Sequence, residues 1–363
     1  MKRKEQHIRV GFYVTSESWN NHQRWHYDVG KALHERGYDV KVVTTARGRL
    51  YARARRYGLD VDRFRGRRIW LLDLLRLYRK MRKEKITTLF INYPGDLKVA
   101  AMAARLAGVR QVVYRRGTVS RIRKNLLNRV LFGHFIQTVV TNSLANKRMM
   151  VQQQGGFFQP GNTRVIYNGL DVSVNRQSHT PPHDYRKNGE LLVGVITGDI
   201  QAGNFFRLME LIRRSKNKPD HFRFLVHGNG HNFKSIHERL RKRPALRQML
   251  VWDFRSNNLG EFMKSIDVFI TGSTRNQLNH NLLHAMAHQR PVIAYDEGSN
   301  PEIVSHSENG YLLQKGDLNG IAEKLDVLCN EDLRIQLGRQ ARRSIEKQFD
   351  FKQTMDQIED LLA

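Results

Sequence analysis

The chain has 363 residues, of which 40% are hydrophobic and 26% are charged, as in soluble globular proteins of two domains. A single cysteine, Cys329, excludes an internal disulfide and favours a reducing compartment. No run of about 18 apolar residues is present, and the short apolar run behind the basic N-terminus predicts a first strand, not a signal peptide.

The charge is strongly asymmetric along the chain. There are 62 Lys and Arg against 34 Asp and Glu, a formal net charge of +28. The first 171 residues hold 35 basic and 11 acidic residues, so that half alone has a net charge of +24. A field of this size on one half favours a polyanionic partner, which could be an anionic membrane leaflet, a phosphorylated glycolipid or a nucleic acid.

Apolar strands alternate with amphipathic helices in the first half. Strands are predicted at residues 8–15, 40–44, 89–92, 111–114, 138–142 and 164–167. A helix over residues 25–36 ends at Gly37, and a second helix through Val99 and Leu106 ends at Gly108. This alternation predicts a parallel, doubly wound sheet in a domain of residues 1–177.

A polar segment with two adjacent prolines, residues 178–190, is predicted to link this domain to a second one. Strands are then predicted at residues 191–197, 222–227, 249–252, 268–272 and 291–295, with helices between them. Residues 317–349 are predicted to be helical, and a closing helix at 350–363 is predicted to pack back on the first domain. The fold class is therefore α/β, with two Rossmann-like parallel-sheet domains, 1–177 and 191–349, facing a cleft and binding ligands at the carboxyl ends of their strands.

Three groups of segments carry a family resemblance. The first is residues 165–171 (VIYNGLD), a strand that ends in an Asn-Gly turn. The second is 266–270 (IDVFI), 282–287 (LLHAMA) and 291–294 (PVIA), and the third is 300–304 (NPEIV) and 308–313 (ENGYLL). In order and spacing these segments resemble the retaining glycosyltransferases of family 4, group 1, which have the GT-B fold.

The resemblance implies a nucleotide sugar bound mainly by the second domain and an acceptor bound mainly by the first. It also implies transfer with retention of anomeric configuration, without a metal and with no cofactor besides the donor. Positions matching the donor site are then expected to contact the nucleotide sugar. They are Gly198, Asp199, Asn204, Gly228, Asn276, His284 and Glu302.

The charged residues of the family's site are replaced here. In the family, an Arg and a Lys of a G-R-x4-K-G loop neutralise the diphosphate, and this chain has Asp199 and Asn204 at those positions. Two family glutamates, spaced Glu-x7-Glu, hold the sugar and the ribose, and Asn276 and His284 stand in their places. Losing both cations without replacement would slow departure of the diphosphate by orders of magnitude.

Three arginines are candidates to restore the missing positive charge. Arg115 and Arg116 follow a predicted strand of the first domain, and Arg275 follows one of the second domain. Arginines converging on a cleft could hold a diphosphate and act as catalytic residues. The alternative is that Arg115 and Arg116 pair with local acids or are solvated.

The loop after the first strand has no glycine but carries aromatic and polar side chains. Trp19, His22 and Arg24 suit stacking on a sugar and binding of its hydroxyls, so they are predicted to bind the acceptor. The alternative is a capped helix with a buried tryptophan.

Residues 47–85 hold 15 basic and four acidic residues, and 69–83 form an amphipathic pattern with a basic end. This pattern is typical of a helix lying on an anionic membrane surface. The alternative is a helix whose apolar stripe packs on its own sheet. The predicted membrane patch consists of Arg76, Arg79, Lys80, Arg82 and Lys83.

Three functions compete. The first is a cytoplasmic, hexosyltransferase-type glycosyltransferase, peripheral on the inner face of the membrane, that extends a lipid-linked surface glycan such as lipopolysaccharide. The second is an inactive relative that serves as a scaffold or partner. The third, a nucleic-acid binder, rests on charge alone, since no zinc finger, helix-turn-helix or RNA-binding aromatic motif is present, so no specific nucleic acid is expected.

Overall fold

A computed structural model describes residues 8–17, 19, 21–45, 48–64, 70–117, 122–123, 125–154, 157–158, 160–172, 185, 189–214, 221–228, 231–253, 256 and 259–362. The chain forms two compact units. The first consists of the residues up to Tyr167 together with the C-terminal segment from Thr354, and the second consists of Asn168–Gln353. The division thus falls at 167–168 and not at 177. Of the predicted linker 178–190, only Tyr185, Gly189 and Glu190 are among the described residues.

The first unit is built on a seven-stranded parallel sheet with the order β3-β2-β1-β4-β5-β6-β7. Its strands are β1 Arg9–Val14, β2 Asp39–Thr44, β3 Asp60–Arg63, β4 Thr88–Ile91, β5 Gln111–Arg116, β6 Thr138–Thr141 and β7 Thr163–Val165. The central strands are buried on both faces because helices cover each side, as parallel sheets require.

The helices of the first unit are α1 Asn21–Glu35, α2 Arg49–Tyr57, α3 Trp70–Lys83, α4 Leu97–Leu106, α5 Leu126–Val130 and α6 Leu144–Gln154. Helix α1 packs on the face that carries Phe12, through Trp25. Helix α3 packs on α4 over the opposite face, in the core that contains Tyr13 and Leu77. The last helix of the described chain, α14 Phe351–Glu359, packs on the first unit. There Arg36 forms ion pairs with Asp356 and Glu359.

The second unit contains a six-stranded parallel sheet with the order β10-β9-β8-β11-β12-β13. Its strands are β8 Leu191–Ile196, β9 Phe222–His227, β10 Leu250–Trp252, β11 Val268–Thr271, β12 Val292–Tyr295 and β13 Tyr311–Leu313. Its helices are α7 Ala202–Arg214, α8 His231–Arg241, α9 Pro244–Gln248, α10 Leu259–Ser265, α11 His280–Ala287, α12 Leu318–Val327 and α13 Glu331–Gln348.

The predicted α/β class with two parallel-sheet domains is confirmed. Two short edge strands, β3 and β13, were not predicted, because β3 reads Asp-Val-Asp-Arg and β13 is only three residues long. The predicted helix 317–349 is two helices, since the side chain of Asn330 accepts from the Leu333 amide and begins a new one.

Candidate functional site

Three polar side chains meet at the carboxyl ends of β1, β4 and β5 in the first unit. His22 Nδ1 donates to Asn92 Oδ1 at 2.9 Å, and Arg115 Nη1 donates to the same oxygen at 3.0 Å. Asn92 Nδ2 in turn donates to the His22 carbonyl at 3.1 Å. Burial lowers the pKa of His22, so the ring is neutral near pH 7, and the bond from Nδ1 leaves Nε2 as the acceptor nitrogen.

Arg115 lies inside the sheet and not in a loop after it, which corrects its predicted position. It pairs with Val140 of β6, is 3% exposed, and places its guanidinium 4.7 Å from the centre of the Trp25 ring. Burial lowers its pKa to about 9. A cation this deeply packed positions its neighbours His22 and Asn92.

Arg116 does not converge with Arg115, contrary to the prediction. Successive residues of a strand point to opposite faces, and the Arg116 guanidinium lies 5.5 Å from the Phe158 ring instead. Burial also lowers the Arg116 pKa. The two arginines therefore serve different faces of one sheet.

The three predicted acceptor residues do not form one cluster, although His22 and Arg24 both lie on helix α1. Arg53 stacks on Trp19 at 4.3 Å, and Arg24 forms an ion pair with Asp28 at 3.6 Å. Only His22 joins the cluster with Asn92 and Arg115. The buried tryptophan of the alternative interpretation is Trp25, at 8% exposure.

Asn92 and Asp96 were missed from the sequence. The Asp96 carboxylate accepts from the Thr15 amide at 2.8 Å and from the Thr15 hydroxyl. Burial raises the Asp96 pKa to about 6, although the bonds from Thr15 oppose the shift. The available signal was that Asn92 directly follows a buried strand, which is where ligands of such sheets bind.

In the second unit, the loop that follows β11 is held by the segment around Asn300. Asn300 Nδ2 donates to the carbonyls of Ser273 and Tyr295, and the Ser299 amide donates to the Arg275 carbonyl at 3.1 Å. Gly298 has φ +62°, and a Cβ there would lie 2.2 Å from the Arg275 oxygen. Only glycine fits, so the loop carrying Arg275 and Asn276 has a defined conformation.

Asp199 follows the end of β8 and is the residue predicted to replace the family's arginine. Its carboxylate accepts from Asn281 Nδ2 at 2.7 Å. Burial raises its pKa, while Asn281 and the charge of Arg275 act to lower it. Asp199 follows β8 and Arg275 follows β11, so both lie at the carboxyl edge of the second sheet, where Arg275 is exposed. Asn281 was missed from the sequence.

The other predicted donor residues occupy the same edge. Gly198 is exposed beside Asp199, and Asn204 lies in the first turn of α7. Asn276 is half-buried in the loop after β11, and Glu302 ends a short 3₁₀ helix, Asn300–Glu302.

His284 lies on helix α11, half-buried, and its carbonyl accepts from His288 Nδ1 at 2.7 Å. The helix is tied to the turn that opens the unit, because Asn168 Nδ2 donates to His280 Nε2 at 3.3 Å.

A second polar cluster lies at the carboxyl ends of β9 and β10, where Asp253 and Tyr185, which were missed from the sequence, join His227. His227 Nδ1 donates to Asp253 Oδ2 at 2.8 Å, while Asp253 Oδ1 accepts from the Tyr185 hydroxyl at 2.8 Å and the Ser256 amide at 3.0 Å. Burial acts to raise the Asp253 pKa, but these hydrogen bonds outweigh it and hold the pKa well below its usual range. Asp253 is therefore an anion at neutral pH.

Helix α3 combines both interpretations offered by its sequence. The stripe of Leu74, Leu77 and Met81 is buried, as the alternative interpretation expected. A separate apolar edge at the start of the helix is exposed: Trp70 is 58% and Leu71 52% accessible. The remaining members of this edge are Leu72 and Leu75.

The acids of residues 47–85 are all engaged in ion pairs. Asp60 and Glu84 contact Arg9 and Lys41, Asp62 contacts Lys41 and Lys80, and Asp73 contacts Arg76. Lys80 is thus neutralised by Asp62, whereas Arg79, Arg82 and Lys83 are exposed. Residues 65–69 and Arg47 of the basic segment lie outside the described residues.

Within the described residues, no group of three or more His, Cys, Asp or Glu is placed to hold a metal ion. In the same part of the chain, no helix is both long and apolar enough to cross a membrane.

The family models place these two parallel-sheet units in one class of protein, the glycosyltransferases of GT-B fold. The family model for glycosyl transferases group 1 matches residues 187–344, and that for glycosyltransferase family 4 matches residues 23–174. The chain belongs to the group 1, family 4 glycosyltransferases, and these matches support a hexosyltransferase-type enzyme.

Curated relatives carry related names. The chain is 24% identical over 353 residues to N-acetyl-alpha-D-glucosaminyl L-malate synthase of Bacillus anthracis, covering 92% of this chain and 91% of that protein. It is 22% identical over 182 residues to poly(ribitol-phosphate) alpha-N-acetylglucosaminyltransferase of Staphylococcus aureus, covering 50% of this chain and 36% of that one.

Solved structures share the fold. A glycosyltransferase from Rickettsia africae superposes with a TM-score of 0.84 at 14% identity, covering 98% of both chains. Anabaena Alr3699/HepE in complex with UDP gives 0.78 at 18% identity, covering 98% of this chain and 99% of that one. The lipopolysaccharide outer core galactosyltransferase WaaB gives 0.73 at 13% identity, with coverage of 98% and 99%.

Proposed function

We propose that this enzyme transfers a sugar from a nucleotide-sugar donor to a lipid-linked surface glycan, such as a lipopolysaccharide or a related phosphate-rich glycan, at the inner face of the membrane. The transfer retains anomeric configuration and uses neither a metal nor a cofactor. The observation that carries the donor half of this proposal is the ordered polar edge of the second sheet. There the Asp199 carboxylate accepts from Asn281, and the loop that carries Arg275 and Asn276 is held by bonds from Ser299 and Asn300.

The donor class is supported by the family and by a neighbouring structure. Anabaena Alr3699/HepE, which has the same fold, was solved with UDP. In this chain Arg275 is an exposed cation at the carboxyl edge of the second sheet, so it is the proposed counter-charge for the diphosphate. Arg115 and Arg116 are too buried for that role and instead support the first sheet.

The acceptor class is supported by the surface of the first unit. Exposed Trp70 and Leu71 lie at one end of α3, and exposed Arg79 and Arg82 lie further along the same helix. An apolar edge beside basic residues suits a bilayer with anionic headgroups. Names among the relatives, such as the poly(ribitol-phosphate) transferase, also point to phosphate-rich acceptors.

The donor proposal is tested with UDP-, GDP- and ADP-sugars, by following hydrolysis and transfer to a lipid-linked glycan extract. We expect one nucleotide class to turn over, and Arg275→Ala to lower kcat by about tenfold to a hundredfold while leaving the thermal midpoint unchanged. Arg207→Ala, on the exposed face of α7, is the matched control. If no nucleotide sugar is turned over and none binds, the proposal is refuted.

A second function, an inactive scaffold, is favoured by one specific observation. Asp199, which is predicted to stand at the position of the family's diphosphate-binding arginine, is a buried acid whose carboxylate accepts a hydrogen bond from Asn281. A negative charge there would repel a diphosphate. Calorimetry that detects no nucleotide binding, together with a stable complex with an active transferase, would establish the scaffold instead of the enzyme.

A further inference from the structure

His227 is placed at the edge of the second sheet where a ligand would lie. It is the last residue of β9 and pairs in register with Ile196, just before Gly198 and Asp199. The Thr197 amide donates to the His227 carbonyl at 3.0 Å. Gly228 has φ +122°, and a Cβ there would lie 2.4 Å from the Thr197 hydroxyl, so the chain turns tightly against β8 directly after His227.

The orientation of the His227 ring is fixed. Nδ1 donates to Asp253, whose carboxylate is fully buried and is held by two further donors, the Tyr185 hydroxyl and the Ser256 amide. The ring lies 5.0 Å from that of Phe262. The His227 side chain is 26% exposed, so the imidazole is held in place by Asp253 and is still accessible to a ligand.

The tautomer decides what this imidazole can bind. Because the Asp253 carboxylate accepts a hydrogen bond from Nδ1–H, the tautomer that makes this bond has its lone pair at Nε2. Phosphate oxygens are also acceptors and do not match it, whereas nucleobase N–H and ribose O–H groups do. Asp199, on the adjacent strand end, likewise favours donors of hydrogen bonds over phosphate.

We propose that His227, oriented by Asp253, accepts a hydrogen bond from an N–H or O–H group of the nucleoside part of the donor and so helps to select the nucleotide. This inference rests on the proposed function, since it concerns the same donor. The family resemblance assigned no role to Asp253 or Tyr185.

The test measures binding of UDP, GDP, ADP and inorganic pyrophosphate to the full chain by calorimetry. His227→Asn is the informative variant, because its Nδ2 can keep the bond to Asp253 while nothing replaces Nε2. We expect its affinity for the best nucleoside diphosphate to fall by about fivefold to tenfold, with pyrophosphate binding unchanged. Tyr185→Phe, which removes another bond to the same carboxylate, should change nucleotide affinity by less than about twofold.

The outcomes separate the two proposals. If the wild type binds a nucleotide and His227→Asn binds it with the same affinity, the role of His227 is overturned but the donor class is not. Equal losses for nucleotide and pyrophosphate would place His227 at the phosphates and also overturn the assignment. If the wild type binds no nucleotide, both proposals fail. Thermal melting of each variant confirms that it is folded.

Discussion

At the scale of single residues, buried ionisable groups give this protein a measurable pH dependence. Asp96 is 4% exposed and its pKa is raised to about 6 by burial, against the effect of the Thr15 bonds. A carboxyl with a raised pKa keeps its proton longer in the folded state than in the unfolded chain. The free energy of unfolding should therefore fall as pH rises from about 4 to about 6, by on the order of 3 kcal/mol.

The variant Asp96→Asn tests this, because its amide oxygen still accepts from Thr15 but cannot ionise. Urea unfolding across pH 4 to 8 should show a flatter profile for Asp96→Asn than for the wild type, with the largest gain above pH 6. The exposed Asp332→Asn serves as the control. An unchanged slope in Asp96→Asn would show that burial does not control this carboxyl.

Gly298 gives a second prediction at this scale. Gly298→Ala must accept a left-handed backbone and also displace the Arg275 carbonyl, 2.2 Å from the new Cβ. We expect it to lower the free energy of unfolding by roughly 3 kcal/mol or more. Gly37→Ala is the matched control, since Gly37 is left-handed with open space around it and should cost only about 1–2 kcal/mol. Equal losses would mean that the contact with Arg275 is easily relieved.

At the scale of elements, helix α3 has buried residues that stabilise the fold and exposed apolar residues that are available to a partner. Leu77 is fully buried in the core under α4, and Leu71 is half exposed. We expect Leu77→Ala to cost about 2–5 kcal/mol of stability, and Leu71→Ala to stay within about 0.5 kcal/mol.

Leu71→Ala also tests membrane binding. Leu71→Ala should weaken co-sedimentation with vesicles of anionic phospholipid at unchanged thermal stability. If Leu71→Ala binds vesicles as well as the wild type does, the exposed edge of α3 is not the part that enters the bilayer.

At the scale of the whole molecule, charge sets the expected partner. The first 171 residues have a net charge of +24, and the four acids of residues 47–85 are all engaged in ion pairs. Binding to anionic vesicles should therefore fall steeply between about 0.05 and 0.5 M NaCl, as the Debye length shortens from roughly 14 to 4 Å. Neutral phosphatidylcholine vesicles are the control, and binding to both lipids with no salt dependence would refute an electrostatic contribution.

The sequence determined the class of fold. Strands such as β8 and β11 are nearly continuous runs of buried residues, and their alternation with helices predicts a parallel sheet that is covered on both faces. It also located the family segments and gave the prediction that Asp199 and His284 replace charged residues of the family.

Only the tertiary structure decided which side chains meet. Arg115 and Arg116 are adjacent in sequence but lie on opposite faces of β5, because a strand alternates its side chains. Asn92, Asn281 and the Asp253 cluster join residues 23 to 82 positions apart. No local pattern encodes such contacts, since they depend on which strand ends the sheet order brings side by side.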